Sequence, residues 1–281
     1  MKKGLIFDIK EFAIFDGPGV RETVFFKGCP LRCAWCHNPE GLSCKRELSV
    51  AKASCVQCGR CRAVCHESEC TLCGKCIDVC PLSLRKICGT EITSAELSER
   101  LLRHREYYSM LGGGFTFSGG EPLYQHEFLF EVLDLLEGSH RVVETSAFAS
   151  APVFELLMQK CEMVIMDIKL VDPARHKEYT GVDNVCILDN YRRLKEKGLP
   201  HIIRMPLIPG VTDTYENAKG LSELLKDDRS LEMLELLPYH ITAGAKYENF
   251  GRVYAPPFDE QRKITVHKEI FEAENIRYKV L

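Results

Sequence analysis

The chain has 281 residues, a formal net charge of −3, 45% hydrophobic residues and 15 cysteines. That length holds one substantial core plus a small inserted unit, and the near-neutral charge argues against a nucleic-acid partner. No apolar run reaches the length of a membrane span, and Met1-Lys-Lys-Gly-Leu-Ile-Phe-Asp8 lacks the apolar stretch of a signal peptide, so no membrane contact and a cytoplasmic location are expected.

The first predicted element is a strand over Glu22–Lys27. It follows the turn-like run Asp16-Gly-Pro-Gly-Val-Arg21 and leads into Cys29-Pro-Leu-Arg-Cys33-Ala-Trp-Cys36. Three thiolates at these spacings can hold three irons of a [4Fe–4S] cube and leave the fourth open to a small molecule. An open iron suits chemistry better than electron storage. The alternative is a structural zinc with His37 as fourth ligand, but His37 directly follows Cys36 and closes a tetrahedron poorly.

The Cys-x3-Cys-x2-Cys run, with Trp35 before its last cysteine, resembles the signature of radical S-adenosylmethionine (SAM) enzymes. Asp16–Arg21 and Cys36-His-Asn-Pro-Glu40 narrow the resemblance to the activating enzymes of glycyl radical enzymes. The resemblance implies that Cys29, Cys33 and Cys36 carry the catalytic cluster, whose open iron takes the amino and carboxylate groups of SAM. It further implies reductive cleavage of SAM to methionine and a 5′-deoxyadenosyl radical, which abstracts hydrogen from a glycine of a partner glycyl radical enzyme. Flavodoxin or ferredoxin is the expected electron donor, and a monomer the expected state. The competing reading, a radical SAM enzyme modifying another peptide or a small molecule, has no need of Asp16–Arg21 or His37–Glu40.

A second cysteine-dense stretch runs from Ser43 to Ile87. Cys55, Cys58, Cys61 and Cys65 follow the pattern Cys-x2-Cys-x2-Cys-x3-Cys, and Cys70, Cys73, Cys76 and Cys80 repeat it, followed by Pro81. This resembles the bacterial two-cluster ferredoxin run, in which the fourth cysteine of each set ligates the other cluster. The resemblance implies one cube on Cys55, Cys58, Cys61 and Cys80 and another on Cys70, Cys73, Cys76 and Cys65, hence three [4Fe–4S] clusters in all. A zinc ribbon would leave cysteines over, and a disulfide framework conflicts with a reducing compartment. Residues 43–87 are therefore expected to be a ferredoxin-like insert held by its clusters, between parts 1–42 and 88–281 of one larger domain. Of the remaining cysteines, Cys161 and Cys186 read as small core residues, and Cys44 and Cys88 flank the insert without a ligand role.

Beyond the insert, strand-like runs at Phe115–Ser118, Arg141–Thr145, Met163–Ile168, His201–Leu207 and Leu231–Leu237 alternate with amphipathic segments at Glu127–Leu136, Ala151–Lys160, Asn190–Lys197 and Tyr215–Lys226. The alternation predicts βα units on a mainly parallel sheet, an α/β fold, with the active site at the C-terminal strand ends. The family resemblance sharpens this to a partial (β/α)6 barrel.

Motifs fall at those strand ends. Ser118-Gly119-Gly120-Glu121-Pro122 is by itself a strand-to-helix turn; by resemblance it is the site for the SAM amine. Glu144-Thr145-Ser146 ends the next strand, where the family has Asp-Thr-Asn-Gly and some members bind a monovalent cation with the acid, the threonine and the later Asp167. Asp167-Ile-Lys169 places acid and base on one face; by resemblance Lys169 binds the SAM carboxylate and both residues serve radical control. Arg204, a charge inside an apolar strand, reads either as a buried ion pair or as the family arginine near SAM. Pro238-Tyr239-His240 resembles the stretch whose histidine touches adenosine, with Lys246 and Gly251–Tyr254 fitting the family tail.

Overall fold

The computed structural model describes residues 1–65 and 69–281; the three between them, part of the expected insert, lie outside the described residues. The strands are β1 (Lys3–Ala13), β2 (Arg21–Phe26), β3 (Glu47–Val50), β4 (Arg85–Cys88), β5 (Thr90–Thr93), β6 (Gly114–Gly119), β7 (Arg141–Thr145), β8 (Met163–Asp167), β9 (His201–Leu207), β10 (Leu231–Pro238) and β11 (Tyr278–Val280). One sheet has the order β11-β10-β9-β8-β7-β6-β2-β1-β5. From β2 through β6 to β11 the neighbours are parallel. The expected parallel block is present, but the sheet is mixed: β1 pairs antiparallel with β2 and with β5. The order is open-ended, with β11 and β5 at the two edges.

Strand alternation sorts the side chains into two layers. Val24, Phe26, Phe115, Phe117, Val143, Val164, Met166, Ile203, Met205, Leu234 and Leu236 form the main core with helix residues such as Leu97, Leu101, Leu129, Phe154, Leu194 and Leu221. The other face begins apolar, with Val142, Met163, Ile165, Ile202 and Met233 clustered together. One step further along each strand it turns polar, at Ser118, Glu144, Asp167, Arg204 and Glu235. The concave face is thus dry near the strand starts and charged towards their C-terminal ends.

The helix Ser94–Leu102 opens on a capping box of Thr93 and Glu96, and Tyr215–Leu225 opens on Thr214, whose hydroxyl accepts from the Asn217 N–H. Cys161 is buried in the core and Cys186 packs against it, partly exposed; Cys88 is buried and Cys44 exposed. No helix among the described residues is long and apolar enough to cross a membrane.

Within the cysteine-dense stretch, β3 and β4 pair antiparallel from Glu47↔Cys88 to Val50↔Arg85. They form a stem that brings the two ends of the stretch together. Beyond it lie two short helices, Arg60–Val64 and Lys75–Asp78, packed on each other. The two cysteine runs share a backbone trace: Gln57 and Leu72 have φ of 54° and 57°, and Gly59 and Gly74 have φ of 77° and 82°. No described residue from Ala51 to Ile87 is buried.

Phe117 is fully buried between sheet and helices. Phe117→Ala should destabilise the domain by about 3–5 kcal/mol, read as a melting temperature lower by roughly 5–10 °C with the iron content unchanged.

Candidate active site

The loop carrying Cys29, Cys33 and Cys36 leaves the C-terminal end of β2 and is stitched by backbone to the turn after β6. The Gly120 N–H donates to Phe26 O (2.7 Å), Glu121 N–H to Gly28 O (2.8 Å) and Gly28 N–H to Gly41 O (2.8 Å). Side chains would not fit. A Cβ on Gly120 would lie 2.4 Å from Gly28 O and 2.5 Å from Gly41 O, and one on Gly119, where φ is 116°, 2.4 Å from Phe26 N. The paired glycines therefore admit the cysteine loop itself.

Glu121 is buried beneath this turn. Its carboxylate accepts from Thr145 Oγ1 (2.6 Å), Ser146 N (2.8 Å), Ser146 Oγ (2.5 Å) and Leu123 N (3.0 Å). Burial pushes its pKa up against these donors. Thr145 is thereby turned to Glu121, and the side chain of Glu121 braces β6 against the end of β7.

On the polar part of the concave face, Lys169 Nζ lies 2.9 Å from Asp167 Oδ2, so the acid–base pair predicted at the end of β8 is formed. Burial alone would lower the Lys169 pKa, but Asp167 and the nearby Cys33 outweigh it and hold the ammonium charged. Arg204 bonds Glu144, Glu235 (2.8 Å) and the Phe15 carbonyl, and Ser118 Oγ donates to the other Glu144 oxygen at 2.6 Å. Lys279 reaches the second oxygen of Glu235 at 2.8 Å. The ion-pair reading of Arg204 is thus realised, with two carboxylates rather than one. Glu144, Thr145 and Asp167, named above for a monovalent cation, each have these other partners.

The three cysteines are half-buried. Burial raises all three thiol pKa values, that of Cys33 to about 12, so thiolates here call for a positive counter-charge. Trp35 is buried with Leu170, Ile208, Val211 and Tyr239, at the ends of β8, β9 and β10. The Arg32 and Ala34 N–H groups donate to Thr180 O and Tyr179 O at 2.7 and 2.9 Å, tying the loop to the helix Pro173–Thr180. On its other side the His37 ring meets Tyr239 and His240 edge-on, at centroid distances of 5.8 and 6.4 Å. Lys246 pairs with Glu40 at 3.1 Å, Arg252 donates to Pro39 O, and the Tyr247 hydroxyl faces Cys36. The Cys36–Glu40 segment and the C-terminal tail, far apart in sequence, form one packed unit.

Residues 23–219 match the Radical SAM superfamily. The chain is a radical SAM enzyme. It is 38% identical to the choline trimethylamine-lyase activating enzyme of Oleidesulfovibrio alaskensis (strain ATCC BAA-1058 / DSM 17464 / G20), over 90% of this chain and 89% of the relative. It is 37% identical to the 4-hydroxyphenylacetate decarboxylase activating enzyme of Clostridium scatologenes, over 90% and 88%. These relations place it among the glycyl radical enzyme activating enzymes, as the cysteine loop and its flanks implied. The fold is also that of QueE from Escherichia coli, with a TM-score of 0.52 at 15% identity over 99% of this chain and 94% of that one.

The donor set fits the cofactors of a radical SAM enzyme. Three cysteines stand on one loop, with a fixed cation beside Cys33. Among the described residues, the one trio of potential ligand atoms within 4.8 Å of one another is Glu11, Glu22 and His104; no cysteine trio is drawn together as around a single tetrahedral ion. Of the residues that support the radical SAM site, sequence reasoning missed three. Glu235 showed itself only as a charge within an apolar strand. Lys27, fully buried, donates to Glu40 O and Glu47 at 2.7 Å each, and Glu47 also holds Arg252 at 2.5 Å. Nothing local to Lys27 distinguishes it from a surface lysine at a strand end.

Gly120→Ala should displace the cysteine loop. A shift near 1 Å at a catalytic centre costs on the order of a hundredfold in rate, so SAM cleavage should fall by about that factor while far-ultraviolet circular dichroism is kept.

Proposed function

We propose that Cys29, Cys33 and Cys36 hold the SAM-binding [4Fe–4S] cluster, and that the ends of β6 to β10 hold SAM. The interlock of the cysteine loop with the Gly119–Glu121 turn supports this most directly, because a cluster on that loop would lie near the turn, whose backbone carbonyls are of the kind that can accept from an ammonium group. Glu121, already bonded by four donors, acts here mainly by fixing that turn. Lys169, charged and held by Asp167, is suited to a carboxylate. His240, exposed beside His37, is positioned at the rim for adenosine, and Trp35 fixes the loop from beneath. With cluster and SAM bound, reduction supplies a 5′-deoxyadenosyl radical able to take hydrogen from a glycine of the partner. The residues around it orient the substrate and keep water out; no general base is required for a hydrogen-atom transfer.

On this reading Arg204 does not touch SAM but holds Glu144 and Glu235 in place. A monovalent cation near Asp167 would have to displace an existing partner of Glu144 or Thr145. Residues 43–87 form the ferredoxin-like unit, between 1–42 and 88–281, with cubes on Cys55, Cys58, Cys61 and Cys80 and on Cys70, Cys73, Cys76 and Cys65. Three observations support it: the repeated backbone trace, the absence of buried described residues from Ala51 to Ile87, and the Cys80 sulfur. That sulfur accepts from the Leu84 N–H at 3.4 Å, and backbone donors from Leu84 and Leu82 lower its pKa. The partner is a glycyl radical enzyme of the lyase or decarboxylase kind, the electron donor flavodoxin or ferredoxin, the location cytoplasmic, and the chain acts as a monomer.

Anaerobically reconstituted protein should carry about twelve irons per chain; a stable value near four with an unchanged fold overturns the two inserted clusters. Cys33→Ala should abolish reductive SAM cleavage and keep about eight irons. With a partner deuterated at its glycine α-carbon, the label should appear in 5′-deoxyadenosine in step with a protein glycyl radical signal. Unlabelled 5′-deoxyadenosine with no protein radical would assign the chain to another substrate.

A further inference from the structure

The concave face and the cysteine runs do not account for one buried charge. Glu22 occupies the second position of β2, on the face that Val24 and Phe26 commit to the apolar core. Its side chain has no exposed surface. One carboxylate oxygen, Oε2, lies 3.2 Å from His104 Nδ1. The other, Oε1, is buried and has no hydrogen-bond partner. An unpartnered carboxylate oxygen in such a place is costly.

The local backbone brings a third group to it. The β1–β2 pairing slips between Lys10↔Thr23 and Ala13↔Arg21, and Phe12 in this bulge has φ of 57°. The Phe12 ring is held by Tyr107 and Tyr108 at centroid distances of 5.8 and 6.1 Å. Bulges re-aim side chains, and here the exposed Glu11 carboxylate meets Glu22 and His104, one ligand atom from each lying within 4.8 Å of the others. Two carboxylates and one imidazole, with no thiolate, make a donor set for a divalent first-row cation.

We infer that Glu11, Glu22 and His104 bind a divalent first-row transition cation, with water completing its shell. The site lies at the N-terminal end of β2, the opposite end of that strand from the cysteine loop, and is separate from the catalytic centre. The cation satisfies Glu22 Oε1 and fastens the β1–β2 hairpin to the turn between the helices Ser94–Leu102 and Arg105–Met110. The competing account is a plain Glu22–His104 ion pair, with Arg100 the further cation that acts on Glu22.

The test uses reconstituted holoenzyme, washed with chelator, without SAM, and Mn²⁺ as a probe that avoids thiolates. Titration is followed by loss of the free Mn²⁺ paramagnetic resonance signal. Wild type should bind one more Mn²⁺ per chain than Glu22→Gln or His104→Ala, and Zn²⁺ should displace it. Added Mn²⁺ should raise the melting temperature of wild type only, while all three proteins keep the same iron content and SAM cleavage. If Glu22→Gln does not fold, the exposed Glu11→Gln and half-exposed His104→Ala carry the comparison. Equal Mn²⁺ binding by wild type and variants, or none by any of them, assigns the trio to the ion pair and overturns the site. Because catalysis is read separately, failure here leaves the radical SAM assignment untouched.

Discussion

A contact between backbones governs the catalytic end of this protein. Gly120 lies against the backbone of Gly28 and Gly41 with no room for a Cβ, and two N–H···O bonds join the end of β2 and its cysteine loop to the turn after β6. A cluster loop held only by side chains would inherit their rotamer freedom. Held by backbone, it inherits the rigidity of the sheet. Glu121 extends that rigidity sideways to Thr145 and Ser146, so two strand ends and the loop move as one body. The four hydrogen bonds to the Glu121 carboxylate make it a brace between the end of β6 and the end of β7.

The second constraint is charge without solvent. Arg204 lies between Glu144 and Glu235, and Lys169 beside Asp167, on a concave face whose lower part is apolar. Burial opposes the charges of Arg204, Lys169 and Glu144, yet Glu144 is held below the usual carboxylate range because Arg204, with the Ser118 hydroxyl, outweighs that burial. Removing one member would leave its partner charged and dry, which is costlier than the pair is favourable. Such a layer gives that face of the sheet fixed dipoles in a low-dielectric setting, which suits a reaction whose radical must not meet water.

Much of this was legible in the sequence because it is periodic or local. Strands β6 to β10 appear within a residue or two of their expected bounds, since each is an apolar run between turn signals. Strands β1 and β5 did not show, because their alternation, Lys-Gly-Leu-Ile-Phe-Asp and Thr-Glu-Ile-Thr, is broken in the first and short in the second. The cysteine spacings, being chemical, were readable at once. What local reading could not supply was partnership across the chain: Lys27 with Glu47, Tyr247 with Cys36, Arg204 with Glu235. Arg204 looked anomalous within its own strand, but nothing near it in sequence showed that it holds one carboxylate from the adjacent β10 and one from β7, two strands away.

The Asp16–Arg21 run, whose resemblance to the activating enzymes the comparisons bear out, has a structural part in this fold. In the fold, Arg21 lies at the start of β2 and bonds Thr116 Oγ1, Phe115 O, His140 O and Pro18 O, all of them neutral acceptors. Desolvation lowers its pKa to about 10, and Gly19 packs on the backbone of Gly112. Both glycine runs flanking β2 and β6 therefore do the same work at opposite ends of one strand pair, admitting a neighbouring backbone. The upper contact seats the cysteine loop; the lower one brings the Phe15 carbonyl up to Arg204. The segment leading into the Asp16–Arg21 run thus takes part in the charged layer, through the Phe15 carbonyl that accepts from Arg204.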